Sequence, residues 1–265
     1  MHPSPVFPAP ARAHRAARPA ALTARGLTRT FGQGDSAVHA VAGLDLDLAA
    51  GSFTAVIGPS GSGKSTLLHL LAGLDRPDGG SIRLGDVDLN TLDEDALTAL
   101  RRDRMGFVLQ DFSLLPALSV AENIDLPFSL GLDPARRDAR WRDHLIGALG
   151  LPGLLDRRPG QLSGGQQQRV AVVRALAHRP AVVFADEPTG NLDLGAGRRL
   201  LGLLRGLAAE QGVTIVMVTH DVAAAALADR VLVLADGSAV RDLAVAGTTS
   251  AEDLAAIVVA AGGNR

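Results

Sequence analysis

Residues 55–66, AVIGPSGSGKST, decide how this chain folds. An apolar run ending at Ile57 meets a glycine-rich turn, and then Lys64, Ser65 and Thr66 open a leucine-rich segment, which predicts a strand, a loop and a helix start. Gly58, Pro59, Ser60, Gly61, Ser62, Gly63, Lys64 and Ser65 fit the pattern G-x-x-x-x-G-K-[ST]. Its glycines let successive backbone N–H groups curl round a polyphosphate at a helix N-terminus, where the dipole favours negative charge. In that geometry Lys64 reaches the outer phosphates and the Ser65 hydroxyl ligates Mg²⁺. A Gly/Ser turn that happens to carry a lysine is the plainer alternative. Against it, Lys64 is the only lysine in the chain, beside 25 arginines. A compact ammonium kept where every other long cation is a guanidinium points to a cradle that a planar fork would not fit.

Around this stretch, 265 residues with 47% apolar content suit a globular α/β protein of one large domain or two small ones. No run approaches the ~18 apolar residues of a membrane span, so the chain reads as soluble, with any membrane role reached through a partner. A net charge of −2 gives no footprint for nucleic acid, and the arginines at 101–104 and 136–142 read as solvated helix faces. The absence of cysteine excludes disulfides and thiolate metal sites and suits a reducing cytoplasm. Residues 1–21, rich in Pro, Ala and Arg and without an acid, read as a disordered tail. Short β-like runs follow around Leu27, at Val38–Val41 and at Leu44–Leu48, then a hairpin turning at Gly85-Asp86. The stretch of about 90–165 reads as a helical insertion between strands of the main sheet. After it come helices at Ser163–His178, Leu200–Ala209 and Ala223–Leu227, a terminal hairpin turning at Asp236-Gly237, and a last helix within 244–265 with a capping-box start at Ser250.

Four apolar runs end in a polar or phosphate-loop residue: TAVI before Gly58, MGFVL before Gln110, AVVFA before Asp186-Glu187, and TIVMVT before His220. Continuous apolar strands of this kind belong to a parallel sheet covered on both faces, and ligands bind beyond the carboxyl ends of such strands. The four endings therefore share one rim. Asp186 there suits a Mg²⁺-associated carboxylate, and Glu187 a group that orients or deprotonates an attacking water. The alternative, an acidic pair capping a following helix, sits badly with Pro188, because the residue before a proline avoids helical geometry.

The stretch LSGGQQQRVAVVRALAH, residues 162–178, carries a second signal. Ser163 is a good helix N-cap, yet glycines in a first turn cost roughly 1 kcal/mol each relative to alanine. Gly164 and Gly165 instead allow a phosphate to approach the backbone. One chain with two half-sites for one nucleotide implies a second copy of itself, each phosphate loop facing the partner's glycine turn across a two-fold axis.

With these residues in hand, the chain resembles the ATP-binding subunits of ABC transporters over residues 22–243, through GPSGSGKST, Gln110, LSGGQQQR, VVFADEP, Asn191-Leu192-Asp193 and His220 in that order. DEPTGNLD, with FVLQDFSLLPALSVAENIDLP, looks most like the macrolide-export and lipoprotein-release subgroup. The resemblance implies a P-loop NTPase (RecA-like) core with a parallel sheet, an N-terminal antiparallel β subdomain and an inserted α-helical subdomain. It implies ATP and Mg²⁺ as ligands. Phe31 would stack on adenine, and Gly58 to Thr66 would hold the phosphates. Gln110 would contact Mg²⁺ and the attacking water, and Ser163 to Gln166 would touch the opposite protomer's ATP. Asp186 would support Mg²⁺, Glu187 would be the catalytic base, Asp193 would couple the two sites, and His220 would contact the γ-phosphate. An ATPase so built would drive separate transmembrane permease subunits from the cytoplasmic face of the membrane. The alternative of the same catalytic design is a regulatory ATPase that moves nothing and controls a membrane partner such as a cell-wall enzyme system.

Overall fold

The computed structural model describes residues 20–245 and 251–262, so the tail expected over residues 1–21 falls almost entirely outside the described residues, as does the Ser250 cap. In chain order the strands and helices are β1 Ala20–Phe31, β2 Val38–Ala49, β3 Phe53–Ile57, α1 Lys64–Leu71, β4 Gly79–Leu84, β5 Val87–Asp88, α2 Glu94–Arg104 and β6 Met105–Val108. There follow α3 Val120–Ile124, α4 Leu126–Ser129, α5 Ala139–Ala148, α6 Gly164–Leu176, β7 Val182–Asp186, α7 Leu194–Gln211, β8 Thr214–Val218, α8 Val222–Ala225, β9 Arg230–Ala235, β10 Ser238–Ala244 and α9 Ala251–Gly262.

Two sheets organise these elements. The core sheet runs β10-β9-β3-β8-β7-β6, parallel throughout except for the edge strand β10, and the second is antiparallel in the order β2-β1-β4-β5. Every residue of β3 and β8 is buried. Side chains alternate across a strand, so Phe53, Ala55, Ile57, Ile215 and Met217 enter one apolar cluster with α3, α5, α6 and α7. Val56, Val216 and Val218 enter the other, with α1 and the antiparallel sheet. That double covering is why these strands carry unbroken apolar runs.

The register brings the strand ends level: Val56 lies opposite Val218, Val218 opposite Asp186, and Ala185 opposite Val108. Gly58, Gln110, Asp186-Glu187 and His220 therefore leave the sheet on one rim. The strand β6 lies inside the stretch 90–165 and pairs with β7, so helical elements fill the stretch on either side of a core strand rather than all of it.

Local differences from the sequence reading trace to glycine. Val38–Val41 and Leu44–Leu48 form one strand, because Gly43 (φ 71°) and Gly26 (φ 55°) absorb a register shift as a bulge. α7 starts at Leu194, six residues before the predicted Leu200, because Asp193 caps it by accepting from Ala196 N at 2.8 Å. Its glycines at 195 and 197 disguise the apolar period; Gly197 lies so close to Thr189 that an added Cβ would sit 3.4 Å from its Cγ2. The terminal hairpin forms as β9 and β10, turning at Asp236-Gly237, and β9 joins it to the core sheet beside β3.

Candidate active site

The phosphate loop is shaped by what surrounds its backbone. A Cβ on Gly58 would stand 2.1 Å from the Leu234 carbonyl oxygen, and one on Gly63 (φ 96°) 1.9 Å from that of Ala40. The turn between β9 and β10 ties the loop down, with Gly237 N donating to the Ser62 carbonyl at 3.2 Å. Lys64 opens α1 and folds back, its Nζ donating to the Gly58 and Pro59 carbonyls at 2.9 and 2.8 Å. Burial holds this ammonium below the ordinary lysine range, while the negative charges of Glu187 and Asp186 pull the other way. Ser62 Oγ is buried and, among the described residues, has no hydrogen-bond partner. Ser60, Gly61 and Ser65 are exposed, and Pro59 and Thr66 half-buried. A partly buried cation held only by neutral carbonyls, an unsatisfied hydroxyl and a cradle without side chains together fit a polyphosphate.

Asp186 and Glu187 stand at the end of β7. Burial raises the Asp186 pKa, the neighbouring Glu187 charge raises it further, and His69 and Lys64 oppose. Glu187 has a left-handed backbone, φ 48°, costly for a residue with a Cβ and characteristic of functional sites. Its carboxylate, 15% exposed, accepts from three donors: Thr219 Oγ1 at 3.0 Å, His220 N at 3.0 Å and His220 Nδ1 at 2.6 Å. A carboxylate only accepts, so the proton of this contact sits on Nδ1. The His220 ring is 77% exposed. No group of three or more His, Cys, Asp or Glu suited to a metal occurs among the described residues. Ser65 and Asp186 are donors of the kind Mg²⁺ takes when phosphate and water oxygens complete its shell.

A second cluster surrounds the start of α6. Ser163 and Gln166 form a capping box, Gln166 N donating to Ser163 Oγ at 3.3 Å and Ser163 N to Gln166 Oε1 at 2.9 Å. Ser163 and Gly164 face solvent. A Cβ on Gly164 would meet Phe112 and the Asn191 carbonyl no closer than 3.9 Å, and one on Gly165 would stand 3.0 Å from Leu192. Asn191 in turn donates to the carbonyl of exposed Gln110 at 3.1 Å. Just beyond Gln110, Phe112 (φ 63°) and Ser113 (φ 44°) are left-handed, and Arg174 of α6 grips their carbonyls at 2.9 and 2.5 Å. Asp193 is exposed and caps α7. Phe31 stands at the end of β1, opposite Val38, two residues along β2 from the Ala40 carbonyl that faces Gly63; the Phe31 and Val38 side chains are 44% and 59% exposed.

The structure thus gathers Lys64, Gln110, Asp186, Glu187 and His220 at the rim and Ser163–Gln166 beside Asn191–Asp193 at the start of α6, with Asn191 reaching the Gln110 carbonyl between them. Sequence reasoning missed Thr219 and Arg174. A hydroxyl closing a buried strand just before His220 is a usable signal for Thr219. Arg174 carries none, because its partners lie 61 and 62 residues away.

Comparison with known proteins gives a family model described as ABC transporter, matching residues 41–190. A lipoprotein-releasing system ATP-binding protein of Anaeromyxobacter dehalogenans is 46% identical over 218 residues, covering 82% of this chain and 91% of that one. A macrolide export ATP-binding/permease protein of Marinobacter nauticus is 46% identical over 217 residues, and the match covers 82% of this chain but 33% of the relative, so this chain spans about a third of that protein's length. An ABC transporter ATP-binding protein of Methanocaldococcus jannaschii is 40% identical over 222 residues, covering 82% of this chain and 94% of that one. A solved structure of the same archaeal cassette, described as dimeric, post-hydrolysis and bound to ADP and Pi, superposes with a TM-score of 0.77 at 38% identity, covering 84% of this chain and 98% of that one.

Proposed function

Because the chain belongs to the ABC transporter family as an ATP-hydrolysing cassette, we propose that two copies close head to tail on two molecules of ATP. Each phosphate loop then meets the partner's Ser163–Gln166 turn. The observation that carries this reading is the exposure of Ser163 and Gly164 to solvent at the start of α6.

In the closed pair, the loop amides from Gly58 to Thr66 and the Lys64 ammonium hold the phosphates. Ser65, Asp186 and Gln110 would hold Mg²⁺, which when bound neutralises charge on the phosphate oxygens. Glu187 takes a proton from the attacking water. Thr219 and the His220 backbone N–H orient its carboxylate. The His220 side chain, now resting on Glu187, swings to the γ-phosphate when nucleotide is present, and Phe31 receives the adenine. Asp193, next to the Asn191–Gln110 contact, couples the two sites.

Among the described residues no helix is long and apolar enough to cross a membrane. We place the membrane-spanning part in separate permease subunits of the macrolide-export or lipoprotein-release kind, with this cassette on their cytoplasmic face. Glu187→Gln is expected to lower hydrolysis by at least about 100-fold while ATP still binds and pairs the chains; turnover at the wild-type rate in that variant contradicts the role given to Glu187.

A further inference from the structure

The proposed base platform lacks an anchor of its own. Phe31 has no hydroxyl through which a hydrogen bond could fix the ring, and it stands 44% exposed at a strand end. Arg29, two residues earlier on β1 and so on the same face of the strand, supplies one. Its guanidinium carbon lies 4.9 Å from the Phe31 ring centroid, within cation–π range.

The guanidinium is itself held from behind. One nitrogen donates to Asp75 at 3.0 Å and another to Asp78 at 3.0 Å, and Nε is buried with no acceptor among the described residues. Asp78 also accepts from Thr30 N at 2.6 Å, and that backbone donor, with Arg29, keeps its carboxyl below the usual aspartate range. Asp75 and Asp78 follow α1, the helix that the phosphate loop opens. A continuous set of contacts thus runs from that helix's far end through two carboxylates and a guanidinium to the aromatic ring.

We propose that Arg29 is a positioning residue for the nucleobase: it covers one face of Phe31, locks the ring's tilt, and leaves the other face as the stacking surface. This rests on the reading of Phe31 as the adenine platform. The guanidinium does not touch the nucleotide; it acts through the ring.

The test compares dissociation constants for ADP and for inorganic pyrophosphate, both with Mg²⁺, by titration calorimetry. Phe31→Ala is expected to weaken ADP and leave pyrophosphate unchanged. If it leaves ADP unchanged as well, the platform reading fails and the inference falls with it. Given a Phe31 effect, Arg29→Met is expected to weaken ADP about two- to fivefold, again without effect on pyrophosphate, and to add nothing in the Phe31→Ala background. Equal weakening of both ligands marks a purely structural role and overturns the inference. So does no weakening of either, or an Arg29 effect that survives without Phe31; the platform reading stands in each case. Should Arg29→Met not fold, the pair Asp75→Asn and Asp78→Asn frees the guanidinium without removing it, and the same ADP-selective loss is expected; loss on both ligands, or on neither, overturns the proposal.

Discussion

The phosphate loop and the Ser163 turn are both glycine-rich helix starts, yet their glycines answer to different neighbours. At Gly58 and Gly63 an added Cβ would lie about two ångströms from backbone oxygens of the same chain, at 2.1 and 1.9 Å. At Gly164 it would meet nothing closer than 3.9 Å. The first pair is required by the chain's own packing, and the loop is therefore a finished cradle. Among the described residues nothing requires a glycine at 164, which points to an approach from outside. The helix starts differ as well: at Ser163 the side chain accepts from one first-turn N–H, that of Gln166, whereas Lys64 opens α1 with no side-chain cap and an αL Gly63 before it.

The largest effect expected from this contrast is at Gly63. Gly63→Ala combines a left-handed φ with a clash against a strand carbonyl, and should cost about 4 kcal/mol or more of stability, read as a fall in the urea midpoint. A variant as stable as wild type would mean the cradle is not built by its own chain.

The far end of α6 gives a second, intermediate effect, because there the helix is closed where its start is open. His178 is 3% exposed, shares a hydrogen bond of 3.1 Å with the Met105 carbonyl, and has a buried Nδ1 without a partner among the described residues. Burial lowers its pKa to about 4, below the ~6.5 of an unfolded histidine. The unfolded chain therefore binds the proton first. The contribution is complete above pH ~6.5 and is lost as pH falls towards 4, by about 3 kcal/mol in all. Unfolding free energies of wild type and His178→Gln, measured from pH 7.5 to 4.5, should converge as pH drops; a constant gap rules this out.

The smallest stability change separates the two turns most sharply. Gly164→Ala should leave stability unchanged or raise it by up to about 1 kcal/mol, since alanine is the better helix residue. Hydrolysis should nonetheless fall by more than about tenfold, as expected of a lost transition-state contact. A variant at once destabilised and active would reverse the comparison.

What the sequence made legible divides along similar lines. Parallel strands buried on both faces must be apolar throughout, so a polar residue ending each run marks the rim before any coordinates are seen. Gly58 and Gly63 were legible because the pattern G-x-x-x-x-G-K-[ST] places them around a phosphate, while the backbone oxygens that also exclude a side chain there come from distant strands. The left-handed turn at Glu187, the Thr219 hydroxyl on its carboxylate, Arg174 on the carbonyls after Gln110 and Arg29 over Phe31 were not. Each is a contact made across the fold or a conformation imposed by it, with no local periodicity to announce it. Bulges at Gly26 and Gly43 fooled the reading for the opposite reason, a local break that the sheet absorbs without ending the strand.

The central claim, a phosphate site completed by a second copy, can be tested directly because the chain contains no cysteine. Ser60 in the phosphate loop and Gly160, just before Ser163, are both exposed, and a Cβ at Gly160 meets nothing within 4 Å. Chains carrying Ser60→Cys are mixed with differently tagged chains carrying Gly160→Cys, both with Glu187→Gln, and treated with a short thiol cross-linker. The account predicts a mixed covalent dimer that forms with ATP and Mg²⁺, far in excess of either same-variant dimer, and fades with ADP. No mixed product with ATP, or a yield indifferent to nucleotide, would contradict it.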